Sequence, residues 1–247
     1  AEATACSKRP AALASENAAP TVAALTATLL GLARDARIGR RSGFAQACHS
    51  KASHLFPANR WRPSVKELTA VDFLRLGPQL RRFLPVAVTE VWIMGSGGVA
   101  AIHPAIPAEL RTSRDVDIVP IGIPVLYYDG KIIERELGED SAFADENLFF
   151  VDYVTPSLLR CTPPGWQQRV TLLDLAPGLR GHFLDAHDIA YNKLWAGRPK
   201  DIAWVKGLLQ TGIITLLRLH ELHASNPIAD EDQAKVCRSL DAVSAEP

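Results

Sequence analysis

Asp115 and Asp117 stand two residues apart in Arg114-Asp115-Val116-Asp117-Ile118-Val119, downstream of the turn Gly95-Ser96-Gly97-Gly98. On a strand, residues i and i+2 face the same way, so these two carboxylates would project together beside the glycine turn. That turn follows the apolar run Val91-Trp92-Ile93-Met94, and glycines there would let backbone N–H groups approach a phosphate closely. Side-by-side carboxylates next to a phosphate cradle suit a hard divalent cation, which takes oxygen ligands and bridges substrate phosphates. This is the chemistry of nucleotide transfer.

Two rival motifs compete for the same residues. Gly95-x-Gly97-x-x-Ala100 also fits the dinucleotide fingerprint, and Asp115 or Asp117 lies about 20 residues on, where a ribose ligand would stand. That fold needs repeated βαβ units. Here Pro104 and Pro107 stop the first helix early, and the strands that follow read as hairpins rather than helix-linked crossovers. A Walker-type phosphate loop is excluded because no Gly-Lys-Ser/Thr follows the turn. The plain alternative is a tight turn with surface aspartates on an edge strand; the coupling of both halves to apolar strands argues against it.

The elements that must position these residues begin near Ser64. Ser64-Val-Lys-Glu67 reads as a capping box opening an amphipathic helix through Leu76, interrupted at Gly77-Pro78. A strand is predicted at Val86–Met94, a helix at Gly97–Ile102 and a strand at Val116–Ile121. Val125–Tyr128 and Lys131–Ile133, joined by Asp129-Gly130, read as a hairpin. Leu148–Val154 and Val170–Leu175 read as further strands. Helices follow at Asp185–Trp195, from Pro199, and at Ile213–His223. The organisation expected is an N-terminal tail and weak helix over 1–62, a core over 63–180, a helical segment over 181–224 and a flexible acidic tail over 225–247.

Bulk properties narrow the function classes. The 247 residues carry 27 Lys and Arg against 27 Asp and Glu, so no global field draws the protein to nucleic acid or membrane. Cys6, Cys48, Cys161 and Cys237 are far apart and form no CxxC pair, which suggests reduced thiols in a cytoplasmic protein rather than a zinc or disulfide framework. The weakly polar run Thr21–Ala33 is too short to span a bilayer. His220 and His223 are three apart on a helix but lack an HExxH pattern and a third ligand.

Gly95-Ser96 after one strand and Asp115-Val-Asp117 on the next resemble the signature of the polymerase-β-type nucleotidyltransferase superfamily. The later segments Gly138-Glu-Asp-Ser141, Asp152-Tyr-Val154, Pro163-Pro-Gly-Trp166-Gln-Gln-Arg169 and Leu184-Asp-Ala-His-Asp188 through Lys193-Leu-Trp-Ala-Gly-Arg198-Pro-Lys-Asp201 are similar to bacterial nucleotidyltransferase-like proteins of uncharacterised function. Those proteins are related to AbiEii-type toxins of toxin–antitoxin and phage-defence systems. The resemblance covers roughly Val65 to Leu222. Eighteen residues lie between Ser96 and Asp115, more than the superfamily's usual spacing, which implies an insertion over Ile102–Leu110.

The resemblance implies an α/β (α+β) domain: a short mixed sheet flanked by helices, with a C-terminal helical cap. It assigns Gly95 and Ser96 to nucleotide phosphates, and Asp115 and Asp117 to Mg²⁺ or Mn²⁺. A third carboxylate normally completes the site, here Asp152 or, as second choice, Asp174. Lys193 corresponds to a phosphate-contacting lysine of the relatives; Arg114, Arg198 and Asp201 bind nucleotide or serve salt-bridged structure. The implied reaction moves a nucleoside monophosphate from an NTP to a hydroxyl on RNA, protein or a small molecule, with an antitoxin as a candidate partner. The competing reading is a catalytically inactive nucleotide- or partner-binding module with the same fold.

Overall fold

The computed structural model describes residues 66–122 and 130–245. The N-terminal tail and weak helix expected over 1–62, Ser64 itself and the segment Val125–Tyr128 lie outside the described residues.

The chain runs β1 (Lys66–Glu67), α1 (Ala70–Phe83), β2 (Glu90–Met94), α2 (Gly95–Ile102), α3 (Ala108–Arg111), β3 (Thr112–Ser113) and β4 (Asp115–Pro120). It continues through α4 (Lys131–Leu137), α5 (Ala142–Asn147), β5 (Phe150–Tyr153), β6 (Thr171–Ala176) and β7 (Leu179–Phe183). It ends with α6 (Ala186–Ala196), α7 (Pro199–Thr211), α8 (Leu216–Ser225) and α9 (Asp230–Ser244). Five strands form one mixed sheet in the order β5-β4-β2-β7-β6, and β1 pairs with β3 in a separate two-stranded ribbon. The α/β class and the short mixed sheet flanked by helices agree with the sequence reading.

Alternation along the strands splits the apolar residues between two cores. Val91 and Ile93 of β2, Val116 and Ile118 of β4 and Val151 of β5 pack with Phe73, Leu76 and Leu80 of α1 and Ile133 and Leu137 of α4. Met94, Val119 and the half-buried Trp92 face the other way, toward a second core built from α6–α9 around Tyr191, Leu194, Val205, Leu208 and Leu219. At roughly 1.5–3 kcal/mol per fully buried large apolar side chain, both layers hold the sheet firmly. Asp115, Asp117 and Asp152 lie on the second face.

Several boundaries depart from the sequence reading. Lys66-Glu67 pairs with Thr112-Ser113, so the helix opens at Thr69 instead of Ser64. Asp72 there reaches back, and its Oδ2 accepts from the Thr69 N–H at 3.0 Å and hydroxyl at 2.9 Å. Gly77-Pro78 does not break α1. A Cβ at Gly77 would sit 2.0 Å from the Leu175 carbonyl oxygen, so the glycine is there for close helix–sheet approach.

Lys131–Leu137 is a helix, not the second arm of a hairpin; Ile133 and Leu137, four apart, form its buried stripe. Strand β7 had no counterpart in the sequence reading. Its polar Arg180 and His182 alternate with buried Leu179, Gly181 and Phe183, and Gly181 is small because a Cβ would meet Phe183 and Leu175 at 2.9–3.0 Å. Residues 230–244, expected as a flexible tail, form α9, which buries Val236, Leu240 and Val243. Its acidic first turn, Asp230-Glu231-Asp232, complements the helix dipole rather than marking disorder.

Candidate active site

Register decides how the acidic residues meet. β4 lies between β2 and β5, antiparallel to one and parallel to the other, with Met94 opposite Asp117 and Asp117 opposite Asp152. Partners in register share a face of the sheet, and neighbouring strands lie about 4.8 Å apart. Asp115, Asp117 and Asp152 therefore form one acidic face, beside the point where β2 becomes α2. Asp174 is on the edge strand β6, with β7 and β2 between it and β4. It is exposed and pairs with Arg180 at 3.0 Å, in an open hollow at the far side of the sheet. Of the two carboxylates offered by the sequence, Asp152 stands with the pair and Asp174 does not.

The turn is fitted to this face. Gly95 has φ +74°, and a Cβ there would lie 2.4 Å from Asp117 Oδ2, so only glycine gives both the left-handed backbone and room for the carboxylate. Met94 ends β2 and is also the N-cap of α2, without a side-chain cap. The first N–H groups of α2 thus have no intrahelical acceptor and point out at the positive end of the helix dipole. A Cβ at Gly97 would press on Leu68 at 2.8 Å and on the Asp115 carbonyl oxygen at 3.2 Å, so the second glycine lets α2 lie against β4.

Ser113 is a residue the sequence reading missed. It is buried, and its hydroxyl donates to Asp115 Oδ1 at 2.8 Å and lies 3.4 Å from the Ser96 hydroxyl. It ties one carboxylate of the pair to the turn. The signal was present as Ser113-Arg-Asp115, another i, i+2 relation. Arg114, between them, turns to Glu139 at 3.1 Å, both side chains exposed.

The opposite wall comes from the helices. Met94, Gly95 and Asp117 share a cleft of about 150 Å³ with Asn192, Lys193 and Trp195 of α6 and with Arg198. Lys193 and Arg198 are held by Asp201, which is 1% exposed and accepts from Lys193 Nζ at 3.2 Å and from Arg198 Nε at 2.5 Å. Burial alone would raise the Asp201 carboxyl, but the Arg198 hydrogen bond and the Lys193 charge outweigh it and hold it below the usual carboxylate range. Asp201 therefore orients the two cations from behind. Asp188, by contrast, does not share Lys193's surface. It is fully buried and takes a two-pronged hydrogen bond from Arg169 at 2.6 and 2.9 Å, while Arg169 also donates to the carbonyls of Pro163 and Pro164. The Pro-Pro-Gly-Trp…Arg segment is a structural clamp on α6.

The electrostatics of the cleft are strained on the acidic side. Burial, then the charges of Asp115 and Asp152, push the Asp117 carboxyl up to about 7, and the nearby Lys193 and Arg198 only partly offset this. Burial, followed by Asp115, also raises Asp152. Like charges crowded at a low-dielectric site are relieved by a proton or by a cation. Among the described residues, no group of three or more His, Cys, Asp or Glu side chains makes a metal cage by itself. Mg²⁺ fits such a site, since it is commonly held by one or two carboxylates together with substrate phosphates rather than by an all-protein cage. The histidine pair is no metal site: His223 is buried, with Tyr191 Oη 2.9 Å from Nδ1 and Cys237 Sγ 3.1 Å from Nε2.

Residues 86–243 match the model of a family described as nucleotidyltransferase of unknown function (DUF6036). The chain belongs to that family. The matched span of this nucleotidyltransferase-family protein covers the turn, all three acidic residues and the cationic helices, and stops one residue short of the end of α9. No curated protein and no solved structure matches the chain. No helix among the described residues is long and apolar enough to cross a membrane.

Proposed function

We propose that the protein transfers a nucleoside monophosphate from an NTP to an acceptor hydroxyl, with release of pyrophosphate. The observation that carries this reading is the register Met94–Asp117–Asp152, which puts the acidic face against the open N-terminus of α2. The N–H groups at Gly95–Gly98 and the Ser96 hydroxyl take the nucleotide's phosphates. Lys193 and Arg198 balance their charge from the facing wall. Asp115 and Asp117 hold Mg²⁺ or Mn²⁺, which when bound neutralises charge on the phosphates and favours departure of pyrophosphate.

Asp152 accepts the proton of the attacking hydroxyl, and its raised pKa suits a base that must take up and then release a proton. The acceptor oxygen bonds to the α-phosphorus as the bond to the pyrophosphate oxygen breaks, and the proton passes from Asp152 to solvent. Catalysis is positioning and charge neutralisation, with no covalent enzyme intermediate. The acceptor classes are RNA, protein or a small molecule. The resemblance to AbiEii-type toxins supports a cytoplasmic toxin or defence role with an antitoxin partner, which a neighbouring reading frame for a small protein would strengthen.

The decisive experiment incubates the protein with Mg²⁺ and α-labelled NTPs in a cell extract. Label should appear on an acceptor, and Asp115→Asn and Asp117→Asn should each remove it by at least 10²-fold. Labelling unchanged in both variants would overturn the assignment. Nucleotide binding by the wild type without any transfer would favour the alternative, a binding module that keeps the fold without turnover.

A further inference from the structure

We infer that Asn192, its carboxamide fixed by Thr162, binds a ribose hydroxyl of the nucleotide and makes the site reject nucleotides that lack that hydroxyl. This deepens the nucleotidyl-transfer reading above and rests on it.

Ile189, Asn192, Lys193 and Ala196 are spaced i, i+3, i+4 and i+7 along α6, which puts them on one face of the helix. All four line the cleft that holds Gly95 and Asp117. Two of them are polar, and each is drawn to a different neighbour. Lys193 Nζ reaches Asp201 of α7 at 3.2 Å. Asn192 reaches Thr162, in the segment after β5, whose hydroxyl accepts from Nδ2 at 3.0 Å and donates to Oδ1 at 3.2 Å.

Thr162 is itself held from both sides. It is buried. The carbonyl before it, of Cys161, accepts from Asn226 Nδ2 at 2.9 Å, and the carbonyl after it, of Pro163, accepts from Arg169 Nη2 at 3.2 Å. Arg169 also grips Asp188 of α6, so the clamp on α6 sets the hydroxyl that aims Asn192.

A carboxamide has two N–H groups and two oxygen lone pairs. Thr162 takes one of each, and among the described residues nothing else bonds to the Asn192 side chain. One donor and one acceptor therefore remain for a ligand in the cleft. A ribose hydroxyl, at once donor and acceptor, satisfies both, whereas a phosphate oxygen could use only the N–H. A base edge could also offer both, but position selects the sugar. In a nucleotide the sugar stands between the phosphates and the base, and Asn192 is the chain neighbour of Lys193, which balances the phosphates; successive Cα atoms are only about 3.8 Å apart. The group beside the phosphate cation meets the sugar before the base. A nucleotide without the hydroxyl leaves the amide unpaired in the cleft, which is how such a site discriminates.

The test measures binding of Mg²⁺–NTPs to the full chain by calorimetry: each common ribonucleotide first, then the 2′-deoxy and 3′-deoxy forms of the tightest. Wild type should bind at least one deoxy form about tenfold more weakly, the loss expected for one hydrogen bond, and which form it is identifies the hydroxyl. Asn192→Ala should weaken the ribonucleotide by about the same factor and leave that deoxy form unchanged, so that the selectivity disappears. Thr162→Val should also lower the selectivity, and Thr162→Ser should retain it; a purely structural role for the pair would lower binding of every sugar alike. Melting curves identify any variant that fails to fold, and the wild-type comparison needs none. Equal wild-type affinity for all three sugars, or an equal loss for all three in Asn192→Ala, would overturn the inference and leave nucleotidyl transfer standing. A wild type that binds no nucleotide would overturn both.

Discussion

Gly95 and Asp117 are fitted to each other: a methyl group on residue 95 would lie 2.4 Å from the Asp117 Oδ2 atom. The glycine turn and the half-buried carboxylate therefore cannot be altered independently. Gly95→Ala must adopt a φ of +74° at a cost of about 1 kcal/mol, and must also displace the carboxylate. Nucleotide affinity should fall at least tenfold with a modest loss in melting temperature, read by titration with Mg²⁺–NTP and by thermal denaturation. Wild-type affinity in this variant would show that the turn does not hold the nucleotide.

The raised Asp117 carboxyl fixes a pH dependence of stability. Its pKa is 3.8 unfolded and about 7 folded, so between those values the native state binds a proton that the unfolded chain lacks. The resulting stabilisation is present at low pH and is lost as pH rises through 7. Asp117→Asn carries no such charge. It should be more stable than wild type at pH 8 by roughly 1–3 kcal/mol, at about 1.4 kcal/mol per pKa unit with allowance for solvent access. Urea denaturation at pH 5 and pH 8 checks the sign: the gap between variant and wild type should widen at the higher pH.

Protons and cations compete for the same carboxylate. Affinity for Mg²⁺–NTP should therefore climb as pH rises from 6 to 8, and the climb should flatten in Asp117→Asn. Calorimetric titrations at a series of pH values measure this directly.

Ser113→Ala removes the hydroxyl that holds Asp115 Oδ1 at 2.8 Å. Groups that orient a metal ligand typically contribute 10–100-fold to affinity or activity. A loss of about tenfold in Mg²⁺–NTP affinity is expected, with little change in melting temperature. A Ser113→Thr variant retains the hydroxyl and should recover part of the loss.

Asp201→Ala leaves Lys193 and Arg198 without their buried partner. Arg198 stays 59% and Lys193 17% exposed, so solvent takes up part of the loss; the cost is about 1–3 kcal/mol, and the variant should unfold at lower urea. Lys193→Met should cost less stability and weaken nucleotide binding more. That contrast separates a supporting role for Asp201 from the nucleotide contact proposed for Lys193.

The acidic pair was legible in the sequence because strand alternation is a local rule: Asp115 and Asp117 share a face whatever the rest of the chain does. Asp152 was legible as an acid inside the apolar run Phe149–Val154, but its place beside Asp117 depends on a parallel pairing between strands separated by two helices. Nothing local encodes that pairing. Lys131–Leu137 was misread because Asp129-Gly130 followed by two isoleucines imitates a hairpin arm, whereas the deciding signal is the four-residue spacing of Ile133 and Leu137. Strand β7 escaped because its central Gly181 is selected by contacts with Phe183 and Leu175, and Ser113 because its value lies in a hydrogen bond rather than in a motif.

Strand β2 passes into helix α2 with no connecting residue, since Met94 closes one and caps the other. Each residue added at that seam would rotate the first turn of the helix by about 100° and swing its amides off the acidic face. Length variation among homologous chains should consequently be barred between residues 94 and 95 and accumulate instead after Ile102, where His103–Pro107 can lengthen or shorten without turning the cradle.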